Sequence, residues 1–208
     1  MGSFVPTYIH FPTVQLDKHK QQVFARLFSD TLAHPGGGIP PVLYACPYPK
    51  HEFLHYLVEH HWVLVHGSTR PGIEILEPRA ESDNAGRVIH AVFAASDGIW
   101  SMFFAILDRK PYPFSVHNGC RREPGGTGYY FSTSTLHDQP WTDGMMYILP
   151  RDAFERISDA DGNPTEQWMS RLAVRPLAKL EITPTDFSAN ALRNRPFSLA
   201  ALWAAWWP

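Results

Sequence analysis

Nineteen prolines stand among 208 residues, about 9% of the chain against a usual share of about 5%. Each fixes its own φ and removes a backbone donor, so the chain favours short elements joined by rigid extended turns. Composition sets what those elements can pack into. Forty-four per cent of residues are apolar and 18% charged, below the usual charged share of about 25%, which excludes a disordered polyelectrolyte. The length suits one full domain with a sizeable core. Eighteen Lys and Arg against twenty Asp and Glu leave a formal charge of −2, so no global basic field gathers nucleic acid. Eleven histidines add positive charge only on mild acidification. Two cysteines, Cys46 and Cys120, suit a reducing compartment and supply no disulfide framework or four-thiolate zinc site. No apolar stretch approaches the roughly 20 residues of a membrane span, and the first residues lack the charged start and apolar run of a signal peptide. A cytoplasmic protein with no membrane partner is the expectation.

Residues Asp17 to Ala33 read as an amphipathic helix, with Asp17 as N-cap, Phe24, Leu27 and Phe28 on one side, and His34-Pro35-Gly36 as the stop. Pro47 to Pro49 introduce a second helix with Phe53, Leu54, Leu57 and Val58 as its apolar face. Trp62 to Val65 reads as a buried strand ending at His66-Gly67-Ser68. Val88 to Ala94 is a second β-type run, and Ser96-Asp97 caps a helix through Trp100, Phe103, Phe104 and Leu107. Gly128–Ser132, Met145–Leu149, Trp168–Ser170 and Ala178–Ile182 follow as strands between Pro, Gly and Asp clusters. Helices first and then mostly strands, with no internal repeat, give one α+β domain.

Two constellations offer chemistry. His51-Glu52-Phe53-Leu54-His55 matches the zinc-hydrolase pattern H-E-x-x-H on a helix, where the i, i+4 spacing puts both imidazoles on one face. His61 falls at the spacing of a third ligand, but Val58 occupies the position where a glycine would break the helix and return that ligand to the metal. An exposed histidine-rich helix surface is the competing reading. Cys120 beside His117 invites a Cys-His nucleophile, yet His117-Asn118-Gly119-Cys120 is turn-like and no orienting acid is in view.

The second constellation is His66-Gly67-Ser68 at a strand end, then, 27 residues on, Phe93-Ala94-Ala95-Ser96 leading into a helix, and later Thr165-Glu166-Gln167-Trp168 on a strand. In that order and context these residues resemble the ADP-ribosyltransferase superfamily, over roughly residues 62 to 182. The resemblance implies an α+β fold whose N-terminal helices are followed by a split, mostly antiparallel sheet. Within a single domain, 1–208, it implies a helical lead-in over 1–60, an NAD-binding core over 61–185 and a docking segment over 186–208. It implies NAD as co-substrate, with ADP-ribose passed to a protein, a nucleic acid, a small molecule or water. His66, Phe93 and Glu166 would be catalytic, and His66, Gly67, Ser68, Arg70, Arg79, Phe93, Ser96 and Tyr130 would hold the NAD.

The residue types suit that chemistry. Cleaving the nicotinamide glycosidic bond passes through an oxocarbenium-like state, so ribose hydroxyls must be held and positive charge stabilised. His66 can donate to or accept from a ribose hydroxyl, and Gly67 has no Cβ to keep a carboxamide from its backbone. Ser68 and Ser96 would bond the carboxamide, and Arg70 and Arg79 match pyrophosphate oxygens. Phe93 stands at the motif position of the stacking aromatic; Phe104 and Tyr130, the latter in Gly128-Tyr129-Tyr130-Phe131-Ser132, are alternatives. Glu166 and Gln167 face opposite ways on a strand, and relatives with Glu directly before the aromatic would align it with Gln167. Glu166 in the cleft implies a transferase; Gln167 implies a weakened enzyme or a module that binds NAD or ADP-ribose without cleaving it. Trp203, Trp206 and Trp207 stand in the last six residues and are expected to dock on the domain or close a homodimer.

Overall fold

The computed structural model describes residues 8–82, 88–109, 115–135, 140–159, 161–187 and 193–196. Three helices, α1 (Lys18–Leu32), α2 (Lys50–His60) and α3 (Gly98–Ile106), accompany eleven strands among these residues. The first strands are β1 (Ile9–Pro12), β2 (Val63–Ser68), β3 (Arg79–Ser82), β4 (Val88–Ala95) and β5 (Ser115–Glu123). They are followed by β6 (Gly126–Thr135), β7 (Gly144–Pro150), β8 (Glu155–Ser158), β9 (Pro164–Ser170), β10 (Ala178–Ile182) and β11 (Arg193–Pro196). The larger sheet runs β10-β7-β2-β4-β9-β8, with β3 paired to the first half of β4. In the smaller sheet β6 pairs with β1, β5 and β11. Every strand pair is antiparallel except β11 against β6, so the architecture is α+β.

Local sequence accounts for these elements. Asp17 caps α1 by accepting the Lys20 N–H at 2.8 Å, and Asp97 caps α3 by accepting the Trp100 N–H at 2.8 Å. The two faces of the larger sheet bury separate cores. Val63 and Val65 of β2, with Met146 and Ile148 of β7, face the helices, whereas Leu64, Tyr147 and Leu149 face a second cluster with Val92, Ala94 and Trp168. Apolar residues on both faces turn the period-2 pattern into the continuous runs seen in the sequence.

Glycines let α3 press onto the larger sheet. A Cβ on Gly67 of β2 would overlap Ser101 O and lie 2.7 Å from Ala105 N, and one on Gly144 of β7 would overlap Ala105 O. At the other end of the helix a Cβ on Gly98 would lie 2.6 Å from Leu54 Cβ of α2. Backbone of α3 fills the space that the missing Cβ of Gly67 leaves, so close packing by itself calls for glycine at this position.

Two further expectations change. The lead-in is not purely helical, because β1 precedes α1 and joins the smaller sheet beside β6. The segment His117–Cys120 is not a turn but part of β5, where Asn118 accepts the Trp100 indole N–H at 2.7 Å. At the far end Phe187 is buried, and Asp186 pairs with Lys50 of α2 at 2.9 Å. Trp203, Trp206 and Trp207 lie outside the described residues. Among the described residues no helix is long and apolar enough to cross a membrane.

Replacing Gly67 with Ala should destabilise the fold by about 2 kcal/mol or more, since overpacking a filled site costs about 1–3 kcal/mol. Thermal denaturation should show a fall of about 4–8 °C for a chain of this size. Gly72→Ala, where a Cβ would meet nothing within 4 Å, serves as the control and should change stability little.

Candidate functional site

Strands β2 and β4 pair at a single position, Val65 opposite Ala95. Beyond it they part. β2 continues along β7 to Ser68, while β4 pairs with β9 from Val92 to Ala95. The resulting fork holds a cavity of about 420 Å³, lined among others by His66, Ser68, Arg70, Arg79, Phe93, Phe104, Arg109 and Gln167. That volume falls within the range of small-ligand and cofactor pockets.

His66 bridges the fork. Its Nδ1 lies 2.7 Å from the Phe93 carbonyl oxygen, which can only accept, so Nδ1 carries the proton. Nε2 has no hydrogen-bond partner among the described residues and is left as an acceptor at the cavity. Burial lowers the His66 pKa from its ordinary 6.5, against the opposing bond to Phe93, and the charges of Arg109 and Arg79 lower it further. The imidazole is neutral at pH 7.

Opposite Ala95, where the fork opens, β9 contributes Gln167. Gln167 lines the cavity, while its Oε1 is itself buried and has no hydrogen-bond partner among the described residues. The loop after β2 is held by buried Tyr147, whose hydroxyl donates to the Arg70 carbonyl at 2.5 Å and accepts the Ile73 N–H at 3.1 Å. Arg109, the first basic residue after α3, rests over the Phe104 ring at 5.3 Å from its centroid.

The structure thus gathers His66, Gly67, Ser68, Arg70, Arg79 and Phe93 at one cavity, and leaves Glu166, Ser96 and Tyr130 elsewhere. Glu166 points to the opposite face of β9. Its Oε1 accepts from Arg122 Nε and Arg156 Nη2, both at 3.2 Å, and its Oε2 from the Ser96 hydroxyl. Ser96 is spent on that carboxylate and on the Trp168 indole N–H at 3.1 Å. Tyr130 is buried on β6 in the smaller sheet. The preference for Glu166 over Gln167 as the cleft residue is corrected: two guanidinium groups compensate a charge on the Glu166 side, and the alternation of β9 then delivers the amide to the fork.

Arg109 and Gln167 complete the site, and only the second was legible beforehand, through the adjacency of Glu and Gln. For Arg109 the sole signal is its place directly after a helix that begins at the fork.

The H-E-x-x-H helix takes a different form. His51 and His55 lie half-buried beside Asp97, Arg122 and Tyr129, and burial lowers the pKa of both. The Glu52 carboxylate is held by Lys20 Nζ at 2.7 Å. His61 bonds the Tyr56 hydroxyl at 3.2 Å and meets the Phe28 ring edge-on. Among the described residues no three His, Cys, Asp or Glu groups are placed to hold a metal. His117 and Cys120 point to opposite faces of β5, and burial pushes the Cys120 thiol well above its ordinary value.

No protein-family model, no curated protein and no solved structure matches this chain.

Replacing Glu166 with Ala should destabilise the protein by about 2 kcal/mol, because two arginines lose their common carboxylate. The cost stays below the about 3–5 kcal/mol of a fully buried pair, since the Arg122 and Arg156 side chains remain 47% and 37% exposed. Gln167→Ala should change stability by less than about 1 kcal/mol. Urea denaturation of the two variants separates a structural residue from a cavity residue one position apart.

Proposed function

We propose that the fork between β2 and β4 is a cleft for NAD, used for binding and only weakly for glycosidic cleavage. The observation that carries the reading is the acceptor His66 Nε2 in a cavity whose wall also bears the neutral amide of Gln167 and three arginines. A ligand matched to that wall donates hydrogen bonds at one end and is anionic at the other. Ribose hydroxyls joined to a pyrophosphate have that pattern, and the order of the His66, Phe93 and β9 motifs resembles ADP-ribosyltransferases.

In this reading His66 accepts from a ribose hydroxyl, Phe93 offers its ring to the nicotinamide, and Arg70, Arg79 and Arg109 hold the pyrophosphate. Gln167 stands on the same wall, at the start of the fork. Cleavage would place positive charge on the ribose, and Gln167 meets it with an amide dipole where a carboxylate would give a full charge. The surrounding guanidinium groups oppose that charge. The chain therefore keeps the binding half of the transferase chemistry and lacks the electrostatic half.

Calorimetric titration of the full chain with NAD should show binding, with nicotinamide release near the uncatalysed background when followed by chromatography. His66→Ala should weaken binding, and Gln167→Glu should raise nicotinamide release at least about tenfold, a conservative share of what one well-placed electrostatic group contributes. Rapid release by the unaltered chain, unchanged in Gln167→Ala, would sink the proposal.

The pH dependence follows from the depressed His66 pKa. Since the folded-state value lies below 6.5, Nε2 stays an acceptor throughout neutral pH. NAD affinity should be flat from about pH 8 to about 6.5 and fall at lower pH as Nε2 takes up a proton. Titrations across that range check it, with His66→Gln expected to remove the dependence.

A further inference from the structure

Resting on that reading of the cleft, a narrower inference concerns the charge of its ligand. We propose that the fork is selective for ADP-ribosyl ligands without a cationic base, ADP-ribose above all, over oxidised NAD. Arg70, Arg79 and Arg109 line the cavity, and none of the three joins an ion pair among the described residues. Among the described residues one acidic side chain, exposed Glu77, stands on the same wall. The two groups nearest the start of the fork, His66 and Gln167, contribute no negative charge. The one carboxylate on that stretch of β9, Glu166, is turned away and neutralised by Arg122 and Arg156.

Excess positive charge in a concave site raises the local potential and favours the more anionic of two similar ligands. Both candidates carry the same doubly negative pyrophosphate. In oxidised NAD a pyridinium ring cancels one of those charges and would lie beside His66 with no carboxylate facing it. ADP-ribose has a neutral hydroxyl at that carbon, so no positive charge is set beside the arginines there. Charge therefore selects ADP-ribose over oxidised NAD. The site is built as a receptor for the product side of NAD cleavage, downstream of a reaction that removes nicotinamide.

Calorimetric titration of the full chain with ADP-ribose, oxidised NAD and reduced NAD at low and high salt tests this. Reduced NAD has the bulk of the oxidised form but a neutral ring, so it separates charge from size. ADP-ribose should bind about tenfold more tightly than oxidised NAD at low salt, the scale of one unit charge in a half-open site. Reduced NAD should also exceed oxidised NAD, and the gap should shrink as salt screens the arginines. Gln167→Glu, checked for an unchanged Tm, should narrow or reverse the preference, and Arg109→Gln should reduce it. Oxidised NAD binding as tightly as ADP-ribose overturns this inference and leaves the NAD cleft standing. Equal affinities for the two redox forms, with ADP-ribose tighter, overturn its electrostatic basis. Absence of binding by all three ligands overturns both the inference and the cleft reading.

Discussion

The contact between α3 and the glycines of β2 and β7 is the constraint on which the rest of the molecule depends. Because Gly67 and Gly144 carry no side chain, the helix backbone lies against the sheet, and the helix is buried along nearly its whole length. From that seat it reaches the smaller sheet as well. Asp97 accepts the Tyr129 hydroxyl at 2.6 Å, and Trp100 donates to Asn118. Burial raises the Asp97 pKa, so its two bonds to Trp100 and Tyr129 must offset a substantial desolvation penalty. One short helix thus positions the end of β2, the start of the fork and the second sheet together.

Behind the fork the larger sheet is braced by stacked cations. Arg151 lies between Trp62 and Trp168, 4.4 and 4.2 Å from their ring centroids, and Arg156 approaches Trp168 at 5.6 Å before reaching Glu166. Arg122, on β5 of the smaller sheet, meets the same carboxylate. Glu166 therefore ties the two sheets together electrostatically. A single strand presents a fully compensated charge on one side and an uncompensated neutral amide on the other. The contrast between those adjacent residues is the chief chemical feature of the site.

Much of the fold was legible because it rests on local signals. Asp17 and Asp97 cap the helices they were expected to cap, and the apolar runs around Val63, Val92, Met146 and Leu180 are strands. The short pairings of β1, β3 and β8 were not legible, since four-residue segments carry too little periodicity to stand out from loops. β5 hid behind Asn118 and Gly119, residues whose turn preference is overridden by pairing along the whole of β6 and by the Trp100 bond. At the site, His66 and Phe93 could be placed because strand ends project loops and side chains together. The choice between Glu166 and Gln167 could not, because period 2 says only that they differ in face. Which of the two faces the fork is set by Arg122 and Arg156, 44 and 10 residues away from Glu166.

The single rung between β2 and β4 joins two blocks of the larger sheet, β10-β7-β2 and β4-β9-β8, which share one backbone pair, the side-chain bridge from His66 to Phe93 and the apolar cluster of Leu64, Tyr147, Val92 and Trp168. Each block has its own ladder, so opening along the seam would leave most backbone bonds intact and cost chiefly the shared apolar contacts. A ligand lodged there would touch both blocks and act as a crosslink, raising the free energy of that opening by mass action. Occupancy of the fork would then be written into amide exchange far from the cavity, along β8 and β10 at the outer edges of the sheet, where no ligand atom would reach.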